Sequence, residues 1–158
     1  MTSHHSTDRR HDNDVTNAHP VRRAAQIVSL VFLLVGILGF VPGVTSNYDQ
    51  LQFAGHESEA MLLGLFQVSI LHNLVHLAFG IIGLAMSRTV SGARSYLIGG
   101  GAIYLVLWLY GLFVEGDHGA NIVPVNNADD WLHFVLGVGM IALGVLLTRR
   151  DRVADRVR

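Results

Sequence analysis

Four stretches of this chain contain no aspartate, glutamate, lysine or arginine: Ala24 to Val41, roughly Leu62 to Met86, Tyr96 to Val114, and Trp131 to Thr148. They leave little freedom in what the chain can fold into. A helix rising about 1.5 Å per residue needs roughly 17 to 25 residues to cross about 30 Å of hydrocarbon, and each stretch reaches or approaches that length. Burying four such helices in a soluble globule would take more polar surface than 158 residues, 51% of them hydrophobic, can provide. The chain therefore reads as all-α, a four-helix transmembrane bundle in residues 24–148 with helices at about 24–41, 70–86, 96–114 and 131–148. Its expected location is the inner (plasma) membrane, as a multi-pass protein with the lipid bilayer as its first partner.

Orientation follows from the basic residues, all of them arginine. Arg9, Arg10, Arg22 and Arg23 precede the first run, Arg88 and Arg94 lie between the second and third, and Arg149, Arg150, Arg152, Arg156 and Arg158 follow the fourth. The other two loops contain none, so the positive-inside rule puts both termini and the 2–3 connection in the cytoplasm. The outer loops are acidic instead, with Asp49, Glu57, Glu59, Glu115, Asp117, Asp129 and Asp130, a solvated face or a weak cation-attracting rim. Residues 1–23 are polar and expected to be a disordered cytoplasmic tail, despite the loose metal affinity that His4, His5, His11 and His19 could confer. Residues 149–158 form a basic cytoplasmic tail. The long polar leader and the absence of a small-residue cleavage site argue that the first run is retained rather than cleaved as a signal peptide.

With no cysteine, thiolate metal sites, iron–sulfur clusters, disulfides and thiol catalysis are excluded. No phosphate loop, dinucleotide fingerprint or nucleic-acid motif occurs, so no nucleic-acid partner is expected.

The second and fourth runs resemble each other. "HNLVHLAFGIIG" aligns with "DDWLHFVLGVGM", placing His76 on His133, Gly80 on Gly137, and His72 and Asn73 on Asp129 and Asp130. The ends of the first and third runs match too, "GFVPG" (Gly39 to Gly43) against "LFVEG" (Leu112 to Gly116). Two matches in the same order indicate a repeated helical hairpin, with a pseudo-twofold axis along the membrane normal. Gly43 and His76 are 33 positions apart but Gly116 and His133 only 17, so the first half holds an insertion of about 16 residues. The insertion falls around Leu51 to Val68 and is expected to form an amphipathic interfacial or re-entrant helix on the outer side. It also sets where the second helix starts. A start near Ile70 leaves His72 and His76 one and two turns inside the outer interface, close to the depth of His133, whereas a start at Leu62 would sink His72 about 15 Å into hydrocarbon.

Residues four apart share a helix face, so His72 with His76, and Asp129 with His133, form polar ridges expected to turn inward and meet. Gly39, Gly43, Gly80, Gly83, Gly137 and Gly144 are candidates for close helix packing, and the triple glycine 99–101 for tight contact or a local bend. Three readings of His72, Asn73, His76, Asp129, Asp130 and His133 remain open. They knit the helix ends together by hydrogen bonds. Alternatively, His72, His76, His133 and Asp129 hold a transition metal, a ligand set suited to zinc, copper, nickel or iron. Or His76 and His133 ligate haem across the pseudo-twofold axis, which the shallow depth disfavours. No activated nucleophile is present, and "LAFGIIGLAM" and "VGMIALGVLL" carry no polar path across the membrane. This favours a receptor, sensor or assembly partner, with self-association or a membrane-complex partner open, over an enzyme or conduit. A metal- or haem-binding subunit of a membrane redox system is the alternative.

"LLGLFQVSILHNLVH" (Leu62 to His76) and "NNADDWLHFVLG" (Asn126 to Gly137) carry a further signal. Through the "LLGLF…HN-x-x-H" and "N-x-A-D-x-x-L-H-x-x-x-G" patterns the chain resembles the small actinobacterial four-helix integral membrane proteins grouped as a domain of unknown function. The resemblance covers roughly Ala24 to Thr148. It implies a membrane protein of that type and brings no known activity. Where members have a proline shortly before the HN pair, this chain has Ser69 and Ile70.

Overall fold

A computed structural model of the chain describes residues 19–55, 57–113 and 126–156, with side chains as far as Arg149. His4, His5, His11, the acids Glu115 and Asp117, and Gly116 at the end of the second F-V-x-G motif lie outside the described residues. Four helices dominate: α1 (Pro20–Leu38), α2 (Ile70–Met86), α3 (Val90–Phe113) and α4 (Asn127–Arg156). α1, α3 and α4 as far as Arg149 are long and apolar enough to cross a membrane, and α2, at 17 residues, is a shorter apolar helix.

At their arginine-bearing ends α1, α3 and α4 run further than the uncharged stretches, while at its other end α1 stops at Leu38, short of Val41. α1 starts at Pro20, whose fixed φ suits a first helical position, and includes Arg22 and Arg23. α3 starts at Val90 after Thr89, whose Oγ1 accepts the Gly92 N–H at 3.0 Å. α4 continues through the basic tail to Arg156. Arginine is a good helix former, so loss of hydrophobicity does not end a helix.

α1 packs mainly against α2 and α3 against α4, forming two antiparallel hairpins joined by Ser87, Arg88 and Thr89. Backbones approach closely at matching points. A Cβ on Gly80 would run into Leu33 and the Ser29 carbonyl, and one on Gly137 would run into Leu105 and the Gly101 carbonyl. Gly83 and Gly144 face Ser29 with Tyr96, and Leu97 with Ile98, respectively. Gly43, expected at a helix contact, is instead a turn residue at φ +91° with open space around it, following Pro42.

Between the hairpins lies a core of Val21, Ala25, Phe32, Ala93, Tyr96, Leu97, Tyr104 and Met140. Polar Ser29, Asn73, Asp129, Asp130 and His133 are buried, while Ile27, Ile81, Val106 and Val135 are more than half exposed. Apolar outside and polar inside is the distribution a hydrocarbon solvent requires.

The segment between α1 and α2 differs from expectation. Instead of an amphipathic helix it forms a cap of three two-residue strands, β1 (Thr45–Ser46), β2 (Met61–Leu62) and β3 (Phe66–Gln67), antiparallel in the order β1-β2-β3. Left-handed backbone at Asn47, Gly55, Leu63 and Gly64 breaks any helix there. Ser58 and Gln67 further hold the chain extended: Ser58 Oγ donates to the Val68 carbonyl at 2.6 Å, and Gln67 Nε2 to the Ser58 carbonyl at 2.7 Å. Ala60, Leu62 and Val68 form the cap's own small core, seated on Val35 and Leu38 of α1.

Candidate functional site

The cap end gathers the start of α2 and the start of α4. A helix N-terminus exposes N–H groups that have no partner inside the helix, and in α2 those of Ile70, Leu71 and His72 are taken by neighbours before Asn73 makes the first intrahelical bond. Ile70 N–H donates to the Gln52 carbonyl (3.0 Å), Leu71 N–H to the Phe53 carbonyl (2.9 Å), His72 N–H to Ser69 Oγ (3.1 Å) and Asn73 N–H to the Ser69 carbonyl (3.0 Å). Ser69, not a proline, fixes the start of this helix by accepting from the third residue on.

α4 begins in the same manner. Asn126 Oδ1 accepts the Asp129 N–H at 3.0 Å, and Asp129 Oδ2 accepts the Asn126 N–H at 3.1 Å, a reciprocal capping pair. Asp129 Oδ2 also accepts the Gln67 N–H at 3.1 Å, and Asn126 Nδ2 donates to the Leu65 carbonyl at 2.9 Å. These two bonds fasten the cap to α4.

The six cluster residues divide between two places. Asn73 and Asp130 face the seams inside their own hairpins: a Cβ on Gly39 would overlap the Asn73 carboxamide, and one on Gly111 the Asp130 carboxylate. Asn73 is fully buried, and neither polar atom of its amide has a hydrogen-bond partner among the described residues.

His72, His76, Asp129 and His133 instead line a cavity of about 220 Å³ between α1, α2, α4 and the cap. Its remaining walls are apolar, Leu34, Val35 and Leu38 from α1, Leu62, Leu63, Phe66 and Val68 from the cap, and Leu132 and Leu136 from α4. Leu34, Leu63 and Leu132 are also exposed on the outside, so the cavity has a mouth between α1, α4 and the cap.

The two imidazoles nearest the centre are held differently. His76 Nδ1 lies 3.0 Å from the His72 carbonyl oxygen. A carbonyl only accepts, so this bond requires the proton on Nδ1, and in the neutral ring Nε2 is then the acceptor. The Tyr104 hydroxyl is 3.5 Å from that Nε2 and can donate to it weakly across the two hairpins. His133 Nδ1 is buried with no partner among the described residues. Phe32 and Tyr104 stack on each other at 5.3 Å, Phe32 contacts His76 at 5.5 Å, and Tyr104 contacts His133 at 5.3 Å. His72 stacks on His76 at 4.3 Å.

Among the described residues, no three histidine, aspartate or glutamate side chains are gathered as a metal site, which includes the His72, His76, His133 and Asp129 set. Asp129 spends one oxygen on two backbone N–H groups. Sequence reading missed Phe32, Tyr104, Asn126 and Ser69. Asn126 and Ser69 carry a sequence signal, a capping residue three positions before Asp129 and His72. The aromatic pair carries none until the two hairpins are set side by side.

A family model described as a domain of unknown function (DUF4383) matches residues 22–146. No curated protein and no solved structure matches the chain.

Proposed function

The chain belongs to the DUF4383 family of unknown function, and from that premise we propose that it is a membrane-embedded binding protein, taking a small lipophilic molecule into the cavity beneath the cap. The observation that carries this reading is the cavity itself: apolar walls, a mouth among exposed leucines, and one end set with His72, His76 and His133. Ligand pockets combine mostly apolar walls with a few convergent polar groups in this way. A receptor or sensor fits better than a conduit, because the faces of α2 and α4 beyond the site, "LAFGIIGLAM" and "VGMIALGVLL", are apolar.

The protein sits in the plasma membrane as four spans, with both termini cytoplasmic and the cap outside; the arginine distribution supports this. The hairpins are copies of one another. A shift of 72 positions carries Phe32 onto Tyr104 and Gly39 onto Gly111, and a shift of 57 carries Ser69 onto Asn126, Asn73 onto Asp130, His76 onto His133 and Gly80 onto Gly137. The members of each pair make parallel contacts. This register sets Gly39 against Gly111, one position earlier than the F-V-x-G motifs alone suggest.

The test is solvent extraction and mass spectrometry of protein purified in mild detergent. A near-stoichiometric lipophilic species is expected, and it should be lost in Leu34→Trp, which narrows the mouth from an already exposed position. Identical extracts from both proteins would sink the reading.

A further inference from the structure

The lining of the cavity narrows the ligand class, on the premise that the binding-protein reading holds. The geometry points to a small, neutral, ring-bearing amphiphile whose head carries a hydroxyl or carbonyl oxygen, the chemistry shared by phenols and quinols, seated with that oxygen among His72, His76 and His133.

Charge is the first filter. Among the described residues no arginine lines the cavity, the chain has no lysine, and the wall carries the Asp129 carboxyl. A carboxylate or phosphate head would enter a site with no counter-cation and an acid beside it, in a region where unpaired charge is expensive. Fatty acids and phospholipid heads are disfavoured for that reason.

Hydrogen-bonding capacity is the second. An imidazole offers both a donor and an acceptor, and His76 commits its Nδ1–H to the His72 carbonyl. A head that only accepts or only donates can still pair with one of these rings, whereas a purely hydrocarbon ligand leaves the polar end unmatched, which costs binding. Size follows from volume: an apolar cavity of about 150 Å³ suffices for benzene, and this one is about 220 Å³ with leucines at the mouth for a short tail. Leu63 supports a lipid-side entrance. It is a branched apolar residue at φ +55°, 67% exposed, on the cavity wall. Backbone strain of this kind at a wall residue is what ligand clamps tend to carry.

The experiment uses the full chain in phosphatidylcholine nanodiscs and an alkylphenol with a diazirine in its tail. Photolabelling is expected on the 34–38, 62–68 and 132–136 segments. Unlabelled 4-octylphenol should compete at least ten-fold better than octylbenzene or octanoate, and His133→Phe and His72→Phe should erase that preference while labelling persists. Equal competition by octylbenzene or octanoate, or better competition by octylammonium, overturns the ligand class but leaves the cavity reading standing. Absence of label from all three segments overturns both.

Discussion

Adjacent positions on an α-helix point about 100° apart, and that angle separates two uses of the polar residues at the head of α2. His72 and His76 share a face and line the cavity, whereas Asn73, one step on, is turned into the α1 seam at Gly39. Asp129 and Asp130 divide in the same way on α4. The i, i+4 spacing of the ridges was legible in the sequence. The seam contacts were legible only in part: Gly39 stood out as a packing glycine, but its partner Asn73, and the contact of Gly111 with Asp130, emerge only once the partner helices are placed. Glycine position sets the first prediction. Gly80→Ala should lower stability by about 1–3 kcal/mol, since its new Cβ meets the Ser29 carbonyl as well as Leu33. Gly139→Ala, with open space around it, should instead stabilise by about 0.5–1 kcal/mol through helix propensity. Thermal melts in one detergent check both, and equal shifts would contradict the packing. Tyr104→Phe removes the hydroxyl near His76 while keeping the stack on Phe32. Hydrogen bonds between membrane helices average about 0.6 kcal/mol, so a loss of that order is expected.

Helices and cap were unequally legible at the scale of elements. Long uncharged runs announce helices because only a helix satisfies its own backbone within one segment in lipid. Two-residue strands have no period to detect, so the inserted segment around Leu51 to Val68 read as an amphipathic helix. What makes it a sheet is the left-handed backbone at Leu63 and Gly64 and the bonds of Ser58 and Gln67. Leu63 yields a prediction at this scale. Left-handed backbone costs a non-glycine residue about 1–2 kcal/mol. Leu63→Gly should therefore make the cap more resistant to unfolding while removing an apolar wall residue, so stability rises and alkylphenol labelling falls. A variant that loses stability would show that Leu63 is held by packing rather than strained. Asn126→Ala should speed hydrogen exchange at the amides near β3, because it frees the Leu65 carbonyl and breaks the capping pair. Exchange at the α2–α3 connection, Ser87 to Thr89, should stay unchanged.

For the whole molecule, the proposed orientation can be checked cleanly because the chain has no cysteine of its own. In intact cells a membrane-impermeant maleimide should label Asp49→Cys and spare Arg88→Cys, and the reverse pattern would invert the topology. The proposed four-span arrangement also sets helices of unequal length side by side. α2 has 17 residues and α3 has 24, so α2 covers about 25 Å where the hydrocarbon is about 30 Å. Lipid beside α2 must thin or the cap must dip to meet it, at a cost of a fraction of a kcal/mol for each Å. That flank is where α2 delivers His72 and His76 to the cavity. Bilayer thickness thereby becomes a variable of the site, and a thicker membrane would pull the cap inward over the mouth.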